Sequence, residues 1–495
     1  MAIHWIDLMI FVIYLVGVLG IGFYFLNKNK SKDDYYVGGR SMSSVHVGLS
    51  VVATDVGGGF SIGLGGLGFI MGLSGSWMLF TGLLGAWISA VLLIPRVYPV
   101  AKRKSFLTFP QALNHFYNGN VAYIAGIIAL IGYIGFTSSQ ILAGAKLASA
   151  TFPSLSIDHA ILAMGIIAVV YTVVGGIKAV IYTDTVQWIL LMGGLILIGI
   201  PLGYQSIGGW EAIKHSLHPE LFSLTNISFV QLFNWLITIL PIWFVGMTLY
   251  QRIYACKDVK TAKRAWYIAG VFEYPLMAFM GVVLGLFAKI AFDQGMFESI
   301  GYIAGTEIDA ELGLPLLLRT ILPVGLMGVM MAAYFSAIMS TADSCLMAAS
   351  GNFTTDVVGS LKKDKKGFNI RFSQIVTLSI GAIAIFLAST MENVLELMLY
   401  SYAFMVSGLL VPVLGFIFLK KPSAIAAMVS MILGGLTTLS LILIGSDLPY
   451  GLDANFFGIS LSAISFIIIH KLHKNYFKSI KRYFIIIFRK LFKLK

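Results

Sequence analysis

The sequence predicts an all-α integral membrane protein of about thirteen transmembrane helices. Three observations predict it. The 495-residue chain is 58% hydrophobic and only 11% charged, apolar runs of about twenty residues recur along its length, and the connections between runs are alternately basic and acidic. Unsatisfied backbone groups are costly in hydrocarbon, and runs of this length without two-residue alternation exclude a β-barrel.

The spans fall near residues 5–26, 43–72, 76–97, 121–150, 157–176, 178–202, 228–250, 264–291, 314–350, 372–390, 393–419, 423–445 and 454–472. The first is too long for a signal peptide and lacks a basic start and a small-residue cleavage site, so it is expected to stay as a helix. Lys28, Lys30, Lys32 and Arg40 follow it; Lys102, Arg103 and Lys104 follow span three; Arg252, Lys257, Lys260, Lys263 and Arg264 follow span seven. Lys362, Lys363, Lys365, Lys366, Arg371, Lys420 and Lys421 continue the alternation, whereas Glu298, Glu307, Asp309, Glu311, Asp447 and Asp453 lie opposite. The positive-inside rule then sets the N-terminus outside and the C-terminus in the cytoplasm of a multi-pass cell-membrane protein. The net charge of +12 is punctuation between spans, not a stripe for nucleic acid, so the expected partners are the lipid bilayer and a small solute, with no obligate protein partner evident. Residues 473–495 mix Lys and Arg with Tyr, Phe and Ile, which suits a basic amphipathic helix on an anionic leaflet.

Span two holds Ala-Thr-Asp-Val-Gly-Gly-Gly-Phe at 53–60. Three glycines sustain a helix poorly, and Asp55 beside them is costly unless it faces an aqueous cavity, so an unwound binding segment is expected here. Gly63–Gly68 matches G-x-G-x-x-G, but with no βα unit around it the match carries no dinucleotide meaning. Span seven carries Pro241 and Gly246, a second candidate break, lined by Trp243, Phe244 and Met247. In span nine, Ala337, Ser340, Thr341 and Ser344 recur at i, i+3, i+4 and i+7 on one helical face. Two hydroxyls and a carbonyl on that stripe offer oxygens to a hard cation.

Asp343, about sixty degrees off the stripe, and Asp184 are acids inside apolar segments, by default cation ligands or proton carriers. Glu273, Arg319 and Glu396 also fall in or near spans, and Lys146 and Lys289 are expected to snorkel. Cys256 in a basic loop and Cys345 in a span are not expected to pair. No filter, ring of charge, or nucleophile with base or metal-ligand set argues for a channel or a membrane-embedded enzyme.

Asp33-Asp-Tyr-Tyr-Val-Gly-Gly-Arg40, Ala53–Gly59, Tyr171–Ile177 with Tyr182–Gln187, and Ser340–Ser344 together resemble the sodium/solute symporter family over nearly the whole chain. The local wording is closest to the proline symporters, at Leu107–Pro110 and Ala143–Leu147, although Ile239, Trp243, Met247 and Gly59 replace residues of their substrate site. The resemblance implies a leucine-transporter-like fold: an N-terminal extra helix (1–30), two inverted five-helix repeats (43–202 and 228–419), two C-terminal helices (423–472) and the tail (473–495). It implies co-transported sodium held by the carbonyls of Ala53, Val56 and Ala337 and the hydroxyls of Ser340 and Thr341. A further ion or proton falls to Asp184, Asp343 and Ser344; serine stands at the Asp343 position in members with a second sodium. Asp55, Gly57, Gly58, Phe60, Trp77, Phe136, Gln140, Trp243, Met247, Tyr402 and Phe404 are the candidate solute-binding residues. The implied function is sodium-coupled symport of a small polar organic solute, an amino acid ahead of a carboxylate, sugar or choline-like cation, with proton coupling as the rival.

Overall fold

A computed structural model describes residues 4–26, 37–55, 57–152, 154–175, 177–361, 370–445 and 447–492. The main helices are α1 (Trp5–Leu26), α2 (Ser44–Asp55), α3 (Gly57–Met71), α4 (Trp77–Leu92), α5 (Gly119–Thr151), α6 (Ile157–Gly175), α7 (Ile177–Gly194), α8 (Phe229–Val245) and α9 (Met247–Ala255). They are followed by α10 (Val259–Val271), α11 (Ala278–Asp293), α12 (Ala310–Ile321), α13 (Leu326–Gly351), α14 (Ile370–Ala388), α15 (Val394–Phe418), α16 (Ala424–Ile444) and α17 (Ala454–Phe492). Among the described residues no strand forms, and the one isolated bridge pairs Met42 with Cys256. Nine helices there are long and apolar enough to cross a membrane, and a tenth span results if the bent pair α8 and α9 is counted as one.

Two breaks organise this bundle. Between α2 and α3 the chain restarts at Gly57, whose φ of +47° favours glycine. Between α8 and α9, Gly246 is extended (φ −64°, ψ 116°) and the two halves meet at 44°. Each break releases backbone N–H groups that a continuous helix would have used, and in lipid these need partners inside the protein.

α13 is the most buried of the nine long spans among the described residues. Its apolar window is 94% buried, against 22% for α17 and 33% for α14 and α16, so every polar group on α13 must find its partner within the bundle. The sequence places span nine at 314–350; the chain instead makes α12 first and starts α13 only at Leu326. Pro323 and Gly325 (φ +89°) force that division. At the other end, the boundary drawn at 472 does not interrupt α17, which runs on to Phe492.

Candidate ion and solute site

α13 meets the first break through its hydroxyl stripe. Thr341 Oγ1 donates to the carbonyl of Ala53 at 2.8 Å and lies 3.1 Å from that of Ala337. Gly57 faces the same hydroxyl, and a Cβ at that position would collide with Thr341 Oγ1. Three of the five expected sodium ligands therefore converge on one point: two carbonyls and a hydroxyl. Ser340, beside them, turns its hydroxyl to Asp184 Oδ1. Val56 lies outside the described residues, and of Asp55, Gly58 and Phe60 only the backbone is described.

Gly57→Ala places a methyl group against Thr341 and strains a left-handed position. It is expected to destabilise the fold by about 1–3 kcal/mol, measured by thermal unfolding of the purified protein.

Asp184 belongs to a larger polar cluster organised by Arg252. The sequence counts Arg252 among the charges of a basic loop; the structure corrects this, because α9 resumes after Gly246 and carries Arg252 into the interior, 0% exposed. Its Nε donates to Ser50 O at 3.2 Å and Ser50 Oγ at 3.0 Å, and Nη1 to Thr248 O at 3.3 Å. Nη2 reaches Thr54 Oγ1, Ser344 Oγ at 3.1 Å and Asp184 Oδ2 at 3.4 Å. Ser50 Oγ also donates to Asp184 Oδ2 at 2.6 Å. A planar fork of five N–H donors thus ties α9 to α2, α7 and α13. Asp343 takes a different partner: Thr172 Oγ1 of α6 donates to its Oδ1 at 2.6 Å. Asp184, Asp343 and Ser344 are all buried, next to the Thr341 stripe.

α5 closes both breaks. Gly59 N donates to Gln140 Oε1 at 3.1 Å, and Thr248 N, freed at the start of α9, donates to Tyr133 Oη at 3.1 Å. Tyr133, Phe136 and Gln140 recur at i, i+3 and i+7, one face of α5. Phe136 stands edge-on to Tyr402 of α15, centroids 5.0 Å apart. Gln140 thus meets the first break, while Phe136, one turn earlier on the same face of α5, meets Tyr402. Tyr133 escapes the sequence reading, and its spacing with Phe136 and Gln140 was the available signal.

The remaining solute candidates lie apart. Trp243 packs edge-on to Trp266 of α10 and against Gly85 of α4. Met247 Sδ accepts from Phe109 N at 3.1 Å. Trp77 donates Nε1 to Leu224 O at 2.7 Å and stacks with Tyr274, and Phe404 faces Gly435 of α16.

A cavity of about 850 Å³ opens beside α3 and α15, its wall including Gly63, Gly66, Leu399 and Ala403. Glu311 borders it. Lys146, expected to snorkel, is instead 4% exposed and donates Nζ to Glu311 Oε2 at 2.7 Å and to Asp309. Glu311 also accepts from Val394 N and Leu395 N, each at 2.9 Å, capping α15. Lys289 does stay near the surface, paired with Asp293. At the basic end, Phe109 packs on Tyr250 (4.6 Å between centroids) and Thr108 Oγ1 donates to Asp356 Oδ1 at 2.9 Å.

A family model described as "Sodium:solute symporter family" matches residues 35–434. The chain is 29% identical over 455 residues to the sodium/proline symporter of Escherichia coli (strain K12), covering 89% of this chain and 88% of that protein. It is 28% identical over 386 residues to the sodium/glucose cotransporter of Vibrio parahaemolyticus, covering 72% and 69%. Among solved structures, a substrate-bound, outward-open Na+-coupled sialic acid symporter matches with a TM-score of 0.77 at 22% identity, over 94% of this chain and 98% of that one. A nucleobase-cation-symport-1 family transporter in a closed conformation matches with a TM-score of 0.57 at 12% identity, over 89% and 94%. The fold is leucine-transporter-like.

Proposed function

The chain belongs to the sodium:solute symporter family, and from that premise we propose that it couples sodium entry to uptake of a small polar organic solute, an amino acid first among the candidates. Symporters of this family are secondary transporters, not enzymes, and sodium is the co-transported ion. The amino-acid reading is supported by the proline symporter match, which spans more of this chain than the glucose cotransporter match does.

One observation carries the ion site: the Thr341 hydroxyl touches the carbonyls of Ala53 and Ala337 at the glycine break. Two carbonyl oxygens and a hydroxyl are hard ligands, and a sodium ion bound by all three oxygens would take over the link that the Thr341 O–H now makes to the carbonyls, the hydroxyl keeping its proton. With Val56 O and Ser340 Oγ added, sodium pins α2 and α3 to α13. Asp184 and Arg252 stand behind it as a fixed, paired support, and Asp343 and Ser344 remain the candidates for a second ion or proton.

Residues 43–202 and 228–419 are read as inverted repeats, supported by the break in the opening helix of each. The acidic side, with its cavity, is read as extracellular, and the sealed basic side as cytoplasmic. Solute would then enter beside α3 and α15 and settle near Gly59, Phe136, Gln140 and Tyr402. Rocking of the broken helices would open the Phe109–Tyr250 and Thr108–Asp356 contacts to release it inward.

Uptake into proteoliposomes under an imposed sodium gradient at fixed pH tests the proposal across a panel of amino acids, sugars and quaternary amines. Stimulation by sodium for an amino acid is expected; stimulation by a proton gradient alone would transfer the coupling to the carboxylates. Ser340→Ala with Thr341→Ala is expected to raise half-saturating sodium about tenfold or more, since two of the proposed ligands are lost. An unshifted sodium dependence would remove both from the site.

A further inference from the structure

Asp7 lies in the first turn of α1, a helix that the ion and solute site leaves without a task. The residue is 5% exposed. Its Oδ1 accepts from the backbone N–H groups of Gly325 and Gly328, at 2.8 and 2.7 Å. These are donors at the start of α13 that no intrahelical carbonyl reaches. The N-cap residue itself is Gly325, which has no side chain to satisfy them. A residue 318 positions away in the chain does so instead.

The contact is close and deliberate in its geometry. A Cβ on Gly328 would lie 2.7 Å from the Asp7 Cα and 2.8 Å from its carbonyl oxygen, so the backbone of α1 rests directly on α13. Further along, Phe11 stands edge-on to Phe335, centroids 5.1 Å apart.

We propose that Asp7 is a positioning residue for the sodium helix: it anchors the N-terminus of α13, and so sets where Ala337, Ser340 and Thr341 meet Ala53. The proposal rests on the reading of α13 as the ion-binding helix. Gly328 and Ser340 are about 18 Å apart along α13, so Asp7 touches no ion and acts through the placement of the helix as a body. A carboxylate at a helix N-terminus satisfies orphan donors and the helix dipole together, and both effects are strengthened where water is excluded. Without it α13 samples misaligned positions. Apparent sodium affinity falls in proportion to the aligned fraction, while turnover at saturating sodium is preserved.

Sodium chloride alone is the probe, titrated against the thermal stability of the full chain in detergent, with potassium chloride as the ionic-strength control. Asp7→Ala is expected to raise half-stabilising sodium about five- to tenfold. Asp7→Asn, which keeps the acceptor and loses the charge, is expected to fall between. Gly328→Ala should shift sodium in the same direction with every charge intact, because its methyl wedges α1 away. If Asp7→Ala does not fold, Asp7→Asn and Gly328→Ala carry the test. Ser340→Ala is run in parallel. A sodium response unchanged in the Asp7 and Gly328 variants but shifted in Ser340→Ala overturns the positioning role. A shift in the Asp7 and Gly328 variants with none in Ser340→Ala upholds it and moves the ligands elsewhere on α13.

Discussion

Arg252→Ala is expected to abolish sodium-driven uptake and to remove about 3–5 kcal/mol of stability. The substitution leaves Asp184 fully buried opposite no base, and Ser50, Thr54 and Ser344 lose the donor they share. Arg252→Lys does not rescue it, because one ammonium cannot reach acceptors on α2, α9, α7 and α13 at once. The informative variant is Arg252→Met with Asp184→Asn, which removes both charges. Its thermal stability in detergent is expected to return most of the way to wild type, while uptake stays low because Ser340 and Ser50 have lost the carboxylate that orients them. A double variant no more stable than Arg252→Ala would mean that the two charges do not form one energetic unit.

Glu311→Ala is the second large effect. One carboxylate serves Lys146 of α5 and two N–H groups of α15, with Gly66 of α3 close against its side chain. Its loss strands a buried ammonium on Asp309 alone and uncaps the helix carrying Tyr402. A cost of about 3 kcal/mol or more is expected. Hydrogen exchange locates it: the amides of Val394 and Leu395 should lose protection first, ahead of global unfolding. Protection at those amides equal to wild type would refute the capping role. Lys146→Met is expected to be milder, since Glu311 keeps both backbone donors.

The bundle was legible because hydropathy and charge alternation act locally along the chain, and they suffice to mark helices and connections. The first break was legible for a similar reason: three glycines in a row at 57–59 declare it without any tertiary information. The stripe from Ala337 to Ser344 was legible because helical periodicity alone puts those oxygens on one face.

Arg252 was not. Next to Lys257 and Lys260 it looks like loop charge, and its acceptors are 4 to 202 positions away. Only the restart of the helix after Gly246 hints that it sits inside. Lys146 misled for the opposite reason: its place near the end of a span suggests snorkelling, and its two carboxylate partners arrive at the start of α12, more than 160 residues later. Trp243 shows a third limit. The break near Pro241 and Gly246 was found, but the direction in which a side chain leaves a broken helix depends on the helices packed around it, here α4 and α10.

If solute binds at the first break, as proposed, the bond that Gln140 makes to Gly59 there bears on how tightly it can be held. Any molecule that captures the Gly59 amide must evict the side chain of Gln140 and not a loosely held water. Such a swap trades one hydrogen bond for another and gains little net free energy. A receptor would be poorly served by that arrangement. A carrier is well served by it, because cargo gripped too firmly would never leave on the far side, and a resident side chain ready to retake the amide speeds the departure.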